Sequence, residues 1–254
     1  MFSAFQYILY FLKKEDRHSL QSPFAFKMYD GLRNHLKIVR YPEIEKIRTA
    51  FLKDPTEIQV TDYGAGSKKV PHAKRKVKEV AQYSNSPIKY NLLYQYFLKQ
   101  TPAQNALELG TGLGINSAYL AAEVKNKLIT IEADKAICQL AASHLEKLKN
   151  VEVVCEEIDH VLPFIASKFT SLDFLLIDAN HTYEATIKYF NILLPFLHET
   201  SIVIVGDIYW SKGMKKAWEE IKGHSKVRMT FDFFECGVVF FKKDLQKEHY
   251  ILTY

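Results

Sequence analysis

The stretch Ala106-Leu-Glu-Leu-Gly-Thr-Gly-Leu-Gly-Ile-Asn-Ser117 decides how the rest of the chain is read. An apolar run (Ala106, Leu107, Leu109) meets glycines at alternate positions, Gly110, Gly112 and Gly114. Ile115, Ala118, Tyr119 and Ala122 then fall at i, i+3, i+4 and i+7, the spacing of one helix face. A strand, a tight turn and a helix account for this order. The turn takes glycine because it needs unusual dihedrals and lets a ligand come close to the backbone. Free N–H groups at the start of the new helix then face the ligand's negative or lone-pair-bearing end.

Outward from that unit, strand and helix signals alternate from Thr101 onward, as in a doubly wound α/β sheet. Strands are expected at 105–109, 128–132, 151–155, 172–178, 201–207, 226–233 and 237–242. Helices are expected at about 115–124, 135–148, 160–167, 182–194 and 211–221, the second of them capped by Asp134. Only Phe234-Glu-Cys-Gly237 separates the last two strands, so they must form an antiparallel hairpin. The expected fold is therefore α/β, a Rossmann-like seven-stranded doubly wound sheet with an antiparallel C-terminal hairpin. Residues 1–100 read as a helical N-terminal extension that caps the substrate site, and 101–254 as the ligand-binding domain. Within the extension, helices are expected at 2–14, 23–33, 42–53, 73–82 and 89–99. The glycine pair in Asp62-Tyr-Gly-Ala-Gly-Ser67 reads as a structural turn, or as a loop folded over the ligand.

Acids sharpen the reading. Glu108 stands two residues before Gly110, inside the strand end, and Glu132 ends the next apolar run, 22 residues after Gly110. An acid at that distance can take both hydroxyls of a ribose. Ile115 stands where the dinucleotide fingerprint needs its third glycine, which disfavours an oxidoreductase. Glu108-x-Gly-x-Gly-x-Gly114 resembles motif I of the class I S-adenosylmethionine (SAM)-dependent methyltransferases. Glu108-Leu-Gly110, Ile131-Glu132, Ile177-Asp-Ala179 and the Val-x-Asp207 end of the fifth strand resemble the catechol and caffeoyl-CoA type of small-molecule O-methyltransferase. That likeness implies SAM as cofactor and a small hydroxyl compound as acceptor. Glu108, Gly110, Gly114 and Asn116 would hold the methionine part, with Thr111, Gly112, Ser117 and Asp178 completing the contacts. Glu132 would hold the ribose, and Ala133 and Glu157 would flank the adenine. The same resemblance implies catalytic roles for Asp178, Asp207 and His181, the last as general base in Asp178-Ala-Asn-His181. Asp178 and Asp207 would also hold a divalent metal, but the family's third ligand position is Ile208 here, which cannot ligate. Two carboxylates with waters could still hold Mg²⁺.

Composition narrows the alternatives. The chain of 254 residues is 48% hydrophobic and 25% charged, ordinary values for a globular protein. Its net charge of +5 comes from Lys68–Lys78, which carries six Lys/Arg and no acid. Such a run serves an RNA or protein methyltransferase, but more often forms a solvated helix face, and no aromatic-interleaved RNA motif accompanies it. Nucleic acid is therefore not the expected partner. The apolar Met1–Leu12 is too short to span a bilayer and has no basic n-region or cleavage site. A packed helix is expected there, with a homodimer through its apolar face as an option. Three cysteines without metal spacing imply buried thiols in a reducing compartment, and the absence of a targeting signal implies the cytoplasm. A SAM-binding module without catalytic activity satisfies the same motifs.

Overall fold

Residues 106–109 carry one charged side chain in an otherwise apolar stretch, a pattern suited to a strand covered on both faces. The computed structural model, which describes residues 2–61, 73–83 and 86–254, places them at the middle of the sheet. The N-terminal part comprises α1 (Phe2–Lys13), α2 (Pro23–Ile38), α3 (Pro42–Lys53), β1 (Glu57–Gln59), β2 (Lys74–Lys76), α4 (Val77–Tyr83) and α5 (Ile88–Lys99). Alternation then begins with β3 (Asn105–Leu109), α6 (Ile115–Ala121), β4 (Lys127–Glu132), α7 (Lys135–Leu145), β5 (Val151–Cys155) and α8 (Ile158–Ser167). It continues with β6 (Leu172–Ile177), α9 (Tyr183–Leu193), β7 (Leu197–Gly206), α10 (Lys212–Gly223), β8 (Met229–Asp232), β9 (Cys236–Phe240) and β10 (Glu248–Ile251).

The large sheet has the order β10-β8-β9-β7-β6-β3-β4-β5. β9 is antiparallel to β7 and β8, and the remaining pairs are parallel. β3 therefore lies between β4 and β6, where the strand order reverses and a crevice opens at the carboxyl ends. The sheet has eight strands where the sequence reading expects seven. β10 pairs with β8, Tyr250 opposite Phe231. Its segment alternates weakly and follows a charged stretch, so edge pairing through backbone groups was invisible to periodicity.

The N-terminal helices share the core of the sheet. Residues 91–98 of α5 are all buried, and Leu32, Leu93 and Phe97 pack in one cluster with Phe174, Ile204 and Phe231. α1 is held at the far edge: the Tyr10 hydroxyl donates to the Leu252 carbonyl at 2.6 Å, and Glu15 N–H to the Ile251 carbonyl at 2.7 Å.

Two expectations need correction. The helix expected from Ala73 begins at Val77, because 74–76 pair as β2 with β1, Arg75 opposite Ile58. Arg75 is 8% exposed, so that end of the basic run is not a solvated helix face. Residues 68–72 of the run, and the 62–67 glycine loop, lie outside the described residues. Second, Cys138 and Cys155 form a disulfide between α7 and the end of β5, and only Cys236 is a free, buried thiol. Spacing could not reveal this pair, which the α7 turn and β5 bring together across 17 positions. The thiol argument for a reducing compartment falls with it. Among the described residues no helix is long and apolar enough to cross a membrane.

Candidate active site

The glycine turn is shaped by its surroundings. Gly110, Gly112 and Gly114 have φ of 99°, 54° and 75°, conformations that L side chains rarely adopt. A Cβ on Gly110 would stand 2.3 Å from the Asp178 carbonyl oxygen. A Cβ on Gly114 would meet Leu145 Cδ1 at 2.8 Å, so this glycine allows α6 to pack on α7. Beneath the turn, Glu108 is 1% exposed. Its carboxylate accepts from Asn116 Nδ2 and Thr130 Oγ1, both at 2.7 Å, and from the Ser117 hydroxyl. Burial pushes Glu108 up to about 7 despite those donors. Asn116 is fixed from the other side: Asn91 Nδ2 donates to its Oδ1 at 2.9 Å, and Arg48 donates to Asn91 Oδ1 at 2.5 Å. Thus α3 and α5 help to orient a side chain of the turn.

A cavity of about 540 Å³ opens over the carboxyl ends of β3, β4, β6 and β7. Gly110, Thr111, Gly112, Asn116, Glu132, Ala133, Glu157, Asp178, His181 and Asp207 line it. Glu108, Gly114 and Ser117 are not in its wall; they support the turn from below, so the motif acid acts through Asn116 and Ser117. Glu132 accepts the Gly112 N–H at 2.8 Å and the Asp134 N–H at 3.0 Å, which leaves lone pairs on both oxygens. Burial raises its pKa. Asp134 caps α7 through Ile137 N–H at 2.8 Å and also accepts from Thr61 N–H at 2.6 Å.

Acids and aromatics line the other end. Asp178 fits because Gly206 has no side chain: a Cβ there would stand 2.0 Å from Asp178 Oδ1. Loss of water around Asp178 pushes it up to about 6, with His181 opposing and Asp207 adding to the rise. His181 Nε2 lies 3.6 Å from Asp207 Oδ2. Asn180, His181 and Asp207 all have positive φ (66°, 45° and 52°), a concentration of backbone strain that marks functional loops. Trp210 lines this end, but Tyr209 does not: its hydroxyl donates to Asp232 at 2.7 Å, in the core. For a metal the donor set does not fit. Ile208 is fully buried, and no group of three ligating side chains occurs among the described residues.

The wall also contains residues that the motif reading missed. Tyr90 and Tyr94, one turn apart on α5, face the cavity, as does Glu235 from the β8–β9 hairpin. The tyrosine spacing was a usable signal; Glu235 had none, because a hairpin acid normally faces solvent.

Residues 107–208 match a family model described as a methyltransferase domain. That stretch, which holds the glycine turn and ends just past Asp207, is similar to a methyltransferase domain. A curated relative, the protein-L-isoaspartate O-methyltransferase of Pyrococcus horikoshii, is 32% identical over 112 residues, 43% of this chain and 50% of that protein. The chain thus spans about half the length of that relative. The chain resembles in fold the O-methyltransferase of Bacillus cereus solved with SAH (TM-score 0.56, 16% identity, 80% of this chain and 92% of that one). It also resembles the O-methyltransferase TomG of Streptomyces achromogenes, solved with SAM (TM-score 0.54, 19% identity, 63% and 82%). At these identities the likeness shows the fold alone: a mostly parallel, Rossmann-like α/β sheet with an antiparallel hairpin.

Proposed function

We propose that the protein is a SAM-dependent methyltransferase that methylates a hydroxyl of a small molecule. The observation that carries this reading is the cavity itself, which runs from the glycine turn and Glu132 to His181 and Asp207. The turn fits a ligand with an amino-acid end, because Gly110 and Gly112, which line the cavity, lack a Cβ and let the ligand come close to the backbone. When bound, SAM supplies a methyl group already activated on a sulfonium. Gly110, Gly112 and Asn116 hold the methionine part, Glu132 the ribose hydroxyls, and Ala133 and Glu157 border the adenine. The chain's remaining task is alignment and exclusion of water, where most of the rate advantage of such a transfer lies. His181 takes the acceptor's proton at Nε2, with Asp207 beside it to stabilise the imidazolium. No step is assigned to a metal.

His181→Ala should lower turnover by about 10²-fold or more while the affinity for SAH stays the same. Release of SAH from SAM with a panel of phenols and alcohols measures this. Unchanged turnover would remove His181 from the mechanism. A homodimer belongs to the same reading: Phe5, Ile8, Phe11 and Leu12 on α1 are each more than half exposed, and sedimentation would detect the pairing.

A further inference from the structure

The acceptor end of the cavity has one carboxylate, Glu235, to which the methyl-transfer reading gives no role, beside Asp207, which already serves His181. Adjacent strands stand about 4.8 Å apart, so the ends of β6, β7 and β9 lie about 5, 10 and 14 Å from the glycine strand. Asp178 follows β6, Asp207 follows β7 and Glu235 precedes β9. Asp207 and Glu235 are therefore well removed from the turn that holds the methionine part. Their backbones are tied together, with Asp207 N–H donating to the Glu235 carbonyl at 2.6 Å. Glu235 is pushed up by burial and by the Asp207 charge, so the two carboxylates feel each other across a partly dry wall.

A second observation points to a ligand. Tyr94 is 3% exposed and lines the cavity, and its hydroxyl has no hydrogen-bond partner among the described residues. That oxygen is not fully enclosed and opens into the cavity. Tyr90, whose hydroxyl hydrogen-bonds Glu235, and Trp210, whose ring stands 6.4 Å from that of His181, also line the cavity. Among the described lining residues the one Lys or Arg is Arg75, on β2. It lies opposite Ile58 on β1, whose chain continues to Thr61 and its bond to Asp134, beside Glu132.

Resting on the methyl-transfer reading, we infer that the acceptor is an organic cation: a small hydroxy compound with an ammonium group, held by Asp207 and Glu235 among the rings of Tyr90, Tyr94 and Trp210. Carboxylates supply charge complementarity, and aromatic faces accept a desolvated ammonium. The Tyr94 hydroxyl provides an acceptor for one ammonium N–H.

Titration of three matched probes into the full chain saturated with SAH tests this: phenethylammonium, 2-phenylethanol and 3-phenylpropanoate, followed by ligand-observed NMR. Phenethylammonium should bind at least about tenfold more tightly than the alcohol, and the carboxylate least. Glu235→Gln should bring the cation and the alcohol to within about twofold of each other, with SAH affinity unchanged. Equal or weaker binding of the cation than of the alcohol, or no measurable binding of the cation while SAH remains bound, would overturn the inference and leave the methyl-transfer reading standing. Failure of SAH to bind would overturn both.

Discussion

Two residues show how the site is tuned one position at a time. Glu108 lies in a strand where burial holds its pKa at about 7, above its ordinary 4.5. A carboxyl raised on folding adds stability below its unfolded value, and that stability is lost as pH rises through the folded value. Denaturant unfolding should therefore show wild type losing ground to Glu108→Gln between about pH 4.5 and 7, by an amount on the order of 3 kcal/mol. A constant difference across that window would contradict the burial argument. Gly110 is constrained by space as well as by dihedral. Gly110→Ala would place a methyl against the Asp178 carbonyl, and should cost at least about 2 kcal/mol together with SAH binding. Unchanged unfolding and SAH titrations would show that the turn can shift. The glycines, Glu132, His181, Asp178 and Asp207 were legible because motif spacing reports backbone demands and strand-end positions. Glu235 and Tyr94 were not, since their place in the site depends on which strand and helix pack beside β7.

At the scale of elements, α3 and α5 contribute to the site as much as they cover it. Arg48 reaches Asn91, which reaches Asn116, and Asn116 reaches Glu108, a chain of hydrogen bonds from a surface helix to the glycine turn. Loss of one link leaves a buried amide unsatisfied and Asn116 free to rotate. Arg48→Met should therefore weaken SAH binding by about tenfold, measured calorimetrically, while the far-ultraviolet circular dichroism stays as in wild type. An unchanged affinity would mean that Asn116 holds its orientation without the outer helices. This coupling could not be read from sequence, where Arg48 and Asn91 are ordinary helix residues. The βα alternation was readable for the opposite reason: its apolar runs and caps are local, and Asp134, Thr182 and Ser211 each cap the helix that follows through their own side chains. β10, an edge strand that pairs with β8 and takes one more backbone bond from Glu15, has no comparable local signature.

Across the whole molecule, one sheet with a switch point between β3 and β6 has the residues proposed for the nucleoside on one side and those proposed for the acceptor on the other. The disulfide ties the nucleoside side together, since Cys155 is the register partner of Glu132. Closing a loop of this length contributes about 3 kcal/mol in the chain-entropy account. Unfolding with and without reductant should differ by that order, and equal midpoints would show the pair reduced in solution. The central claim is that the cavity over β3 and β4 is a SAM site. Calorimetric titration of SAH, with NAD as control, tests it most directly. The account predicts that SAH binds, that NAD does not, and that Glu132→Ala abolishes the SAH signal in a folded protein. Absence of SAH binding, or SAH binding indifferent to Glu132→Ala, would contradict it.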